Sequence, residues 1–143
     1  MDGMEQRCEK YGDYSLLRQD GVPERPRISV LMSAFNSDSF VGRAVESILS
    51  QSFREFEFIV VEDGSSDKTR EILRSLQGRD RRICLVEQGN LGLTKSLNRA
   101  LSLARGSLIA RQDADDASLS ERFARQVEFL DGNPTVGDRK VVG

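Results

Sequence analysis

Three carboxylates stand close together near the end of the chain. Asp113, Asp115 and Asp116 follow the apolar residues 108–110 and lie within four positions of one another. Like charges packed this closely repel one another, and a cation bound among them relieves the repulsion. On an extended backbone, Asp113 and Asp115 would point to the same side because they are two residues apart. The cluster predicts a site for an oxygen-preferring cation, Mn²⁺ or Mg²⁺, with these three aspartates as candidate ligands.

Two other interpretations use the same carboxylates. An acidic first turn of the following helix is favoured by the helix dipole and stays open at this point. An EF-hand calcium loop is excluded, because its fifth, sixth and twelfth positions would be Ala117, Ser118 and Ala124. That loop requires an oxygen ligand, a glycine and a glutamate at those positions.

Composition excludes several other classes of chemistry. Histidine is absent from the 143 residues, which excludes Ser-His catalysis and histidine-bound metals within them. The net charge of -2 gives no indication of nucleic-acid binding. Cys8 and Cys84 are predicted to be free thiols of a reducing compartment. No apolar run approaches the ~20 residues of a membrane span, and we expect a protein of the cytoplasm or of the inner face of the membrane.

Strand-like and helical patterns alternate from Arg27 onward. Strands are predicted at 28–32, 56–61, 83–86 and 107–112, and helices at 40–51, 67–78, 93–104 and 118–130, the last with a capping box formed by Ser118 and Glu121. This alternation predicts an α/β fold, a Rossmann-like three-layer sandwich with a mostly parallel central sheet. Residues 1–26 are predicted to be a loosely attached polar arm, 27–136 the domain, and 137–143 a tail.

Polar loops follow three of the predicted strands, at residues 33–37, 62–67 and 113–116. In parallel sheets, ligands bind outside the carboxyl ends of the strands, where the strand order reverses. We therefore expect the three loops to converge on one crevice. The glycine-rich dinucleotide pattern and the P-loop pattern are both absent from the sequence.

Four segments resemble motifs of the family 2 glycosyltransferases with the GT-A fold, and they occur in the same order. They are ISVLMSAFN at 28–36, VVEDGSSDKT at 60–69, NLGLTKSLN at 90–98, and DADD at 113–116, which resembles the D-x-D metal motif. The resemblance covers about residues 27–136, and Ser33 stands where proline is common in the family. It implies metal-dependent, inverting transfer of a sugar from a nucleotide-diphospho-sugar, with UDP as the expected nucleotide. The acceptor would be a saccharide or a lipid-linked group.

The resemblance also implies roles for the residues of the first two loops. Asp63 would accept a hydrogen bond from the N–H of a uracil or guanine edge, although a carboxylate in an Asp-Gly turn is the alternative. Phe35 would lie against the base, or else belong to the core. Ala34 and Asn36 would contact the nucleotide through backbone and side chain, and Asn36 is equally suited to cap the next helix.

The later motifs receive roles in the same way. Asp113 would bind the ribose or assist the metal, and Asp115 would hold the metal against the donor diphosphate. Lys95 would help to neutralise the phosphates, or would be an ordinary solvated helix lysine. Asn98 would lie near the donor or join its helix to a loop.

Members of the family continue beyond this point with acceptor-binding segments and a carboxylate general base. After Pro134 the only carboxylate here is Asp138, and no motif marks it as that base. We therefore expect the chain to be the donor-binding part of a truncated GT-A domain, with an exposed edge that favours self-association. A nucleotidyltransferase and a non-catalytic nucleotide-binding module are the alternatives.

Overall fold

The computed structural model describes residues 6–19, residues 25–132 and the backbone of residues 140–142. The strands are β1 (Gln6–Tyr11), β2 (Tyr14–Gln19), β3 (Ile28–Ala34), β4 (Phe56–Asp63), β5 (Ile83–Gln88), β6 (Leu108–Arg111) and β7 (Lys140–Val142). The helices are α1 (Val41–Leu49), α2 (Thr69–Arg79), α3 (Leu93–Leu103) and α4 (Arg122–Gly132).

All of these strands belong to one sheet, in the spatial order β1-β2-β5-β4-β3-β6-β7. Along the spatial order β5-β4-β3-β6-β7, each pair of neighbouring strands is parallel. This is expected where helices connect successive strands. The hairpin of β1 and β2 joins the edge of β5 in antiparallel orientation. This arrangement confirms the predicted α/β fold with a mostly parallel sheet.

The prediction of a loosely attached N-terminal arm is wrong for residues 6–19. Strand β2 pairs with β5 so that Tyr14 lies opposite Gln88 and Leu17 lies opposite Leu85. Leu16 is buried in this pairing. An edge hairpin is held largely by backbone hydrogen bonds and buries few side chains, so its sequence lacks the apolar run that marks the central strands.

The predicted tail also needs a correction. Residues 140–142 form β7, which pairs in parallel with β6, so this part of residues 137–143 belongs to the sheet. The predicted boundary at residue 136 lies outside the described residues. Within the part of the chain that the structure covers, none of the helices has the length and apolarity needed to cross a membrane.

Side chains alternate between the two faces of the sheet along β3 and β4, and helices cover both faces. Val30 and Met32 of β3 face a cluster that includes residues of α1, α2 and α4. Leu31 of β3 and Ile59 of β4 face the opposite side, where they pack with residues of α3. Helix α1 places its apolar side chains at helical spacing and buries them against the sheet: Val41, Ala44, Val45 and Ile48.

The ends of two helices test the predicted caps. The predicted cap of α2 by Asp67 is displaced by one residue, because Lys68 is the N-cap residue and forms no side-chain cap bond. Asp67 instead accepts hydrogen bonds from the amide and the hydroxyl of Thr69, the first residue of the helix, at 2.9 and 2.6 Å. The predicted capping box at Ser118 is wrong, because α4 begins only at Arg122. The hydroxyl of Ser118 instead donates to Oε1 of Gln112 at 2.6 Å.

Candidate functional site

The predicted site residues lie at the carboxyl ends of three adjacent strands. The chain proceeds from β3 to β4 and β5 on one side of β3, and it then returns to place β6 on the other side. The strand order therefore reverses between β3 and β6, which is where parallel sheets bind ligands. Arg111 of β6 is level with Leu31 of β3, so the aspartates emerge beside the end of β3.

The residues from Asp113 to Asp116, which we call the acidic turn, depart from the predicted extended backbone. The amide of Asp116 donates to the carbonyl of Asp113 at 3.2 Å, which closes a turn. Ala114 points into the core and is only 9% exposed, whereas the aspartates on either side of it are exposed. The turn and its buried methyl group, rather than strand alternation, bring the carboxylates together.

Gln112 holds the backbone of the acidic turn through hydrogen bonds, and this role was not predicted from the sequence. Its amide nitrogen donates to the carbonyls of Asp113 and Asp116 at 3.2 and 2.8 Å. Its amide oxygen accepts from Arg122 at 3.0 Å and from Ser118. Gln112 continues the buried alternation of residues 108 and 110, so a polar residue at a core position was the available signal.

Two arginines stand beside the acidic turn in different environments. Arg111 lies 3.4 Å from a carboxylate oxygen of Asp113, and both side chains are about half exposed. Arg122 donates to the carbonyl of Arg111 at 2.9 Å and to neutral oxygens of Gln112 and Ser118. Burial lowers the pKa of the Arg122 guanidinium from its usual value. Arg122 therefore fixes the backbone around the turn and leaves the aspartate oxygens available.

The acidic turn fits a divalent cation. One carboxylate oxygen from each of Asp113, Asp115 and Asp116 lies within 4.8 Å of the others, and all three residues are exposed. Three carboxylates with open positions toward solvent are the kind of hard oxygen set that Mg²⁺ or Mn²⁺ binds together with waters and substrate phosphates. The alternative of an acidic first helical turn is not realised, because α4 begins six residues later.

Asp63, at the end of β4, has the opposite character. It is 2% exposed, and its two oxygens accept four hydrogen bonds from the segment 88–92, which runs from the last residue of β5 to the start of α3. Oδ1 accepts from Gln88 at 2.9 Å and from the amide of Leu91 at 2.8 Å. Oδ2 accepts from Asn90 at 3.3 Å and from the amide of Gly92 at 3.0 Å.

These bonds bear on the role that the family resemblance implies for Asp63. A carboxylate offers about four lone-pair sites, and four donors of the chain itself already approach them. A base N–H would have to share an oxygen with one of these donors. Base recognition by Asp63 stays a prediction, while its role in holding the β5–α3 segment follows directly from the contacts.

The loop after β3 contains the other predicted nucleotide contacts. Ala34 is fully buried in the core, so only its backbone remains available to a ligand. Phe35 is 47% exposed, which excludes the alternative of a core aromatic. Asn36 has a left-handed φ of 47° and does not cap α1. Its amide oxygen instead accepts from the amide of Ser66 at 2.8 Å and joins this loop to the loop after β4.

The remaining predicted residues lie farther along the chain. Lys95 and Asn98 are exposed on α3, so the structure gives Asn98 no buried position between helix and loop. A groove of about 1000 Å³ opens between the acidic turn and α4, and Arg111, Asp113, Asp116 and Arg122 are among its lining residues. The predicted site thus comprises two loops, after β3 and β4, that are joined by hydrogen bonds, and an acidic turn that borders a groove.

Comparison with known proteins decides the family. The model of the family described as "Glycosyl transferase family 2" matches residues 29–142. The chain belongs to family 2 of the glycosyltransferases. This confirms the family that the four motifs predicted. The β1–β2 hairpin of this glycosyltransferase lies outside the matched residues.

Relatives of this glycosyltransferase cover much the same part of the chain. The putative glycosyltransferase EpsE of Bacillus subtilis is 40% identical over 108 residues, which are 74% of this chain and 39% of that protein. The chain spans about two fifths of the length of the curated relatives it matches.

Two solved structures support the fold of this glycosyltransferase. TarS 1-349 of S. aureus, in complex with UDP-GlcNAc, matches with a TM-score of 0.68 and 28% identity over 74% of this chain and 31% of that one. The mannosyltransferase PcManGT of Pyrobaculum calidifontis, in complex with GDP-Man and Mn²⁺, matches with a TM-score of 0.69 and 27% identity. That match covers 82% of this chain and 36% of the mannosyltransferase.

Proposed function

We propose that the described residues form the donor-binding part of a metal-dependent, inverting glycosyltransferase that uses a nucleoside-diphospho-sugar. The acidic turn carries this proposal, because it presents three exposed, clustered carboxylates where the strand order reverses. The complexes of the two structural relatives, with UDP-GlcNAc and with GDP-Man and Mn²⁺, support a nucleotide-sugar and a divalent cation. A UDP-sugar is our first choice of donor.

Each part of the site has a role in this proposal. Asp113, Asp115 and Asp116 would hold Mn²⁺ or Mg²⁺, and the bound cation would stabilise negative charge on the diphosphate leaving group. The backbone around Ala34 and the exposed ring of Phe35 would border the nucleoside. Lys95, exposed on the first turn of α3, would add positive charge near the phosphates.

The reaction would join an acceptor oxygen to the anomeric carbon of the sugar and break the bond from that carbon to the diphosphate. A general base would take the acceptor proton, and we assign that role to none of the described residues. We propose a saccharide or a lipid-linked group as the acceptor. Reaction in the cytoplasm or at the inner face of the membrane, and self-association of the chain, stay predictions.

Calorimetric titration with nucleoside diphosphates tests the donor site. We would titrate UDP, GDP, TDP, CDP and ADP into the chain with and without Mn²⁺, and confirm the result by thermal melting. UDP with Mn²⁺ is expected to bind most tightly, and a ligand at 100 times its dissociation constant should stabilise the fold by about 2.7 kcal/mol. Failure of all five nucleotides to bind in the presence of Mn²⁺ would overturn the proposal.

Product analysis then separates the proposed function from its alternatives. Incubation with UDP-sugars, Mn²⁺ and a mixture of acceptors should give donor binding and slow release of UDP, with little transfer to acceptors by these residues alone. Acceptor positioning and general-base catalysis supply much of the rate, and we assign neither to the described residues. In a parallel incubation with a nucleoside triphosphate and a sugar phosphate, formation of a nucleotide-sugar with release of pyrophosphate would point to a nucleotidyltransferase. Binding without turnover in either incubation would point to a non-catalytic module.

A further inference from the structure

The β1–β2 hairpin reaches the site although it lies outside the residues matched by the family. Strand β2 runs antiparallel to β5, and its first residue, Tyr14, lies opposite Gln88, the last residue of β5. The turn of the hairpin, which contains Gly12 and Asp13, is therefore next to the carboxyl end of β5. The network around Asp63 begins at that end, because Gln88 donates to Asp63.

Arg99 of α3 connects the hairpin to this network. One of its terminal nitrogens donates to both carboxylate oxygens of Asp13, at 3.0 and 3.1 Å. The other donates to the amide oxygen of Gln88 at 2.7 Å. The guanidinium also lies over the ring of Tyr14, 4.3 Å from its centre. A planar guanidinium held on two edges and one face has little freedom to turn.

The bond from Arg99 helps to fix the orientation of the Gln88 side-chain amide. With the amide oxygen toward Arg99, the amide nitrogen donates to Asp63 at 2.9 Å and to the hydroxyl of Ser96 at 3.0 Å. The reversed amide would place its oxygen against the carboxylate and its nitrogen against the guanidinium, and both contacts would be repulsive. Arg99 and Asp63 therefore hold the Gln88 amide in this orientation from its two ends, and Arg99 fixes the position of the amide oxygen.

A shallow, open depression of about 440 Å³ lies beside this network, and the hairpin forms part of its wall. Asp13 and Tyr14 line it from the hairpin, while Gly64 and Gln88 line it from the ends of β4 and β5. The hairpin thus borders the same edge of the sheet as the candidate donor site.

We propose that Arg99 is a positioning residue for the donor. The N-terminal hairpin then belongs functionally to the half of the site that would bind the nucleobase. This inference rests on the proposed function. The hairpin fixes Arg99, Arg99 orients Gln88, and Gln88 helps Asp63 to hold the amides of Leu91 and Gly92 at the start of α3. Donor affinity and base preference should therefore respond to a change in the hairpin contact.

Three variants of the 143-residue chain test the proposal. Arg99→Met removes the guanidinium and keeps much of the apolar stem, and Asp13→Asn removes only the charge on the hairpin. Arg79→Met is the matched control, because Arg79 forms an exposed ion pair with Glu46 on the outer helices. Each variant would be titrated with UDP and with CDP in Mn²⁺ below its melting temperature. Amide proton shifts of Leu91 and Gly92 would be recorded by NMR.

Arg99→Met should weaken UDP binding about tenfold, as for the loss of one charge-assisted hydrogen bond. It should bring the ratio of the UDP affinity to the CDP affinity closer to one. It should also move the Leu91 and Gly92 amide resonances. Asp13→Asn should give about threefold weaker binding by loosening the same guanidinium, and it serves as the test if Arg99→Met does not fold. Arg79→Met should match the wild type in all three measurements.

The outcomes separate this inference from the proposed function. Wild-type affinity, wild-type base ratio and unchanged amide shifts in the Arg99 and Asp13 variants would overturn the role of the hairpin while leaving the donor site intact. Equal weakening of UDP and CDP with unmoved amide shifts would also overturn it, because a general loss of stability would explain that result. Failure of the wild type to bind any nucleotide would instead overturn the proposed function.

Discussion

Two acidic regions at the same edge of the sheet are built in opposite ways. Asp63 is buried, and four hydrogen-bond donors from one segment surround its oxygens. The acidic turn has its backbone held by Gln112 and leaves three carboxylates exposed. A carboxylate with all its positions filled organises the chain around it, whereas carboxylates with open positions can bind something new. The contrast predicts which aspartates matter for stability and which for ligand binding.

The largest effect on stability is expected for Asp63→Ala. The substitution leaves the backbone amides of Leu91 and Gly92 without their acceptor in a largely buried place. The side-chain amides of Gln88 and Asn90 each lose one of two acceptors. We expect a loss of about 3 kcal/mol in the free energy of unfolding and a fall of roughly 10 °C in the melting temperature. Urea unfolding and thermal melts measure both. A loss no larger than that of Asp115→Ala, the same chemical change at an exposed site, would contradict the contrast.

Gly64→Ala should disturb the same region through the backbone. Gly64 has a φ of +76°, and a methyl group there would lie 2.6 Å from the amide nitrogen of Asn90. Backbone strain and this contact should cost about 2 kcal/mol of stability. The matched control is Gly78→Ala in α2, where nothing lies within 4 Å. That helical substitution should leave stability unchanged or raise it by about 0.5 kcal/mol, and equal results for the two glycines would refute the prediction.

Gln112→Met should have a smaller effect on stability and a clear one on cation binding. Methionine fills a similar volume but offers no hydrogen bonds to the carbonyls of Asp113 and Asp116. We expect a loss of about 1.5 kcal/mol from the unpaired buried groups and about tenfold weaker Mn²⁺ binding, as for other residues that orient metal ligands. Calorimetry with Mn²⁺ alone measures the second effect, and unchanged Mn²⁺ affinity would show that the turn needs no support.

The smallest effect on stability is expected for Asp115→Ala, although its effect on binding should be complete. Among the residues that the structure describes, none forms a hydrogen bond with the exposed Asp115 carboxylate, so stability should change by less than about 0.5 kcal/mol. The part of UDP affinity that depends on Mn²⁺ should disappear. Titration of UDP with and without Mn²⁺ measures this part directly, and a wild-type response to Mn²⁺ would remove Asp115 from the cation site.

The central sheet was predictable because its strands are largely buried and therefore apolar, and because its helices carry regular apolar faces. The family was predictable because four motifs occur in order. The hairpin was missed, since polar residues such as Arg7 and Lys10 at an edge strand do not form an apolar run. The loop at 113–116 was predicted, but the turn that brings its carboxylates together was not, because Ala114 fits an extended backbone as well as a buried turn. The partners of Asp63 could not be inferred, because they come from a segment about 25 residues away.

The hairpin has a further consequence for the behaviour of the protein in solution. Without it, β5 would present a row of unpaired backbone groups to solvent, and such an edge invites another chain to add a strand. With it, the outermost strand on that side is β1, whose sequence QRCEKY is mostly exposed and carries three charged residues. Charged side chains on an edge strand oppose aggregation. Mutations that loosen the hairpin should therefore promote aggregation as well as weaken the site.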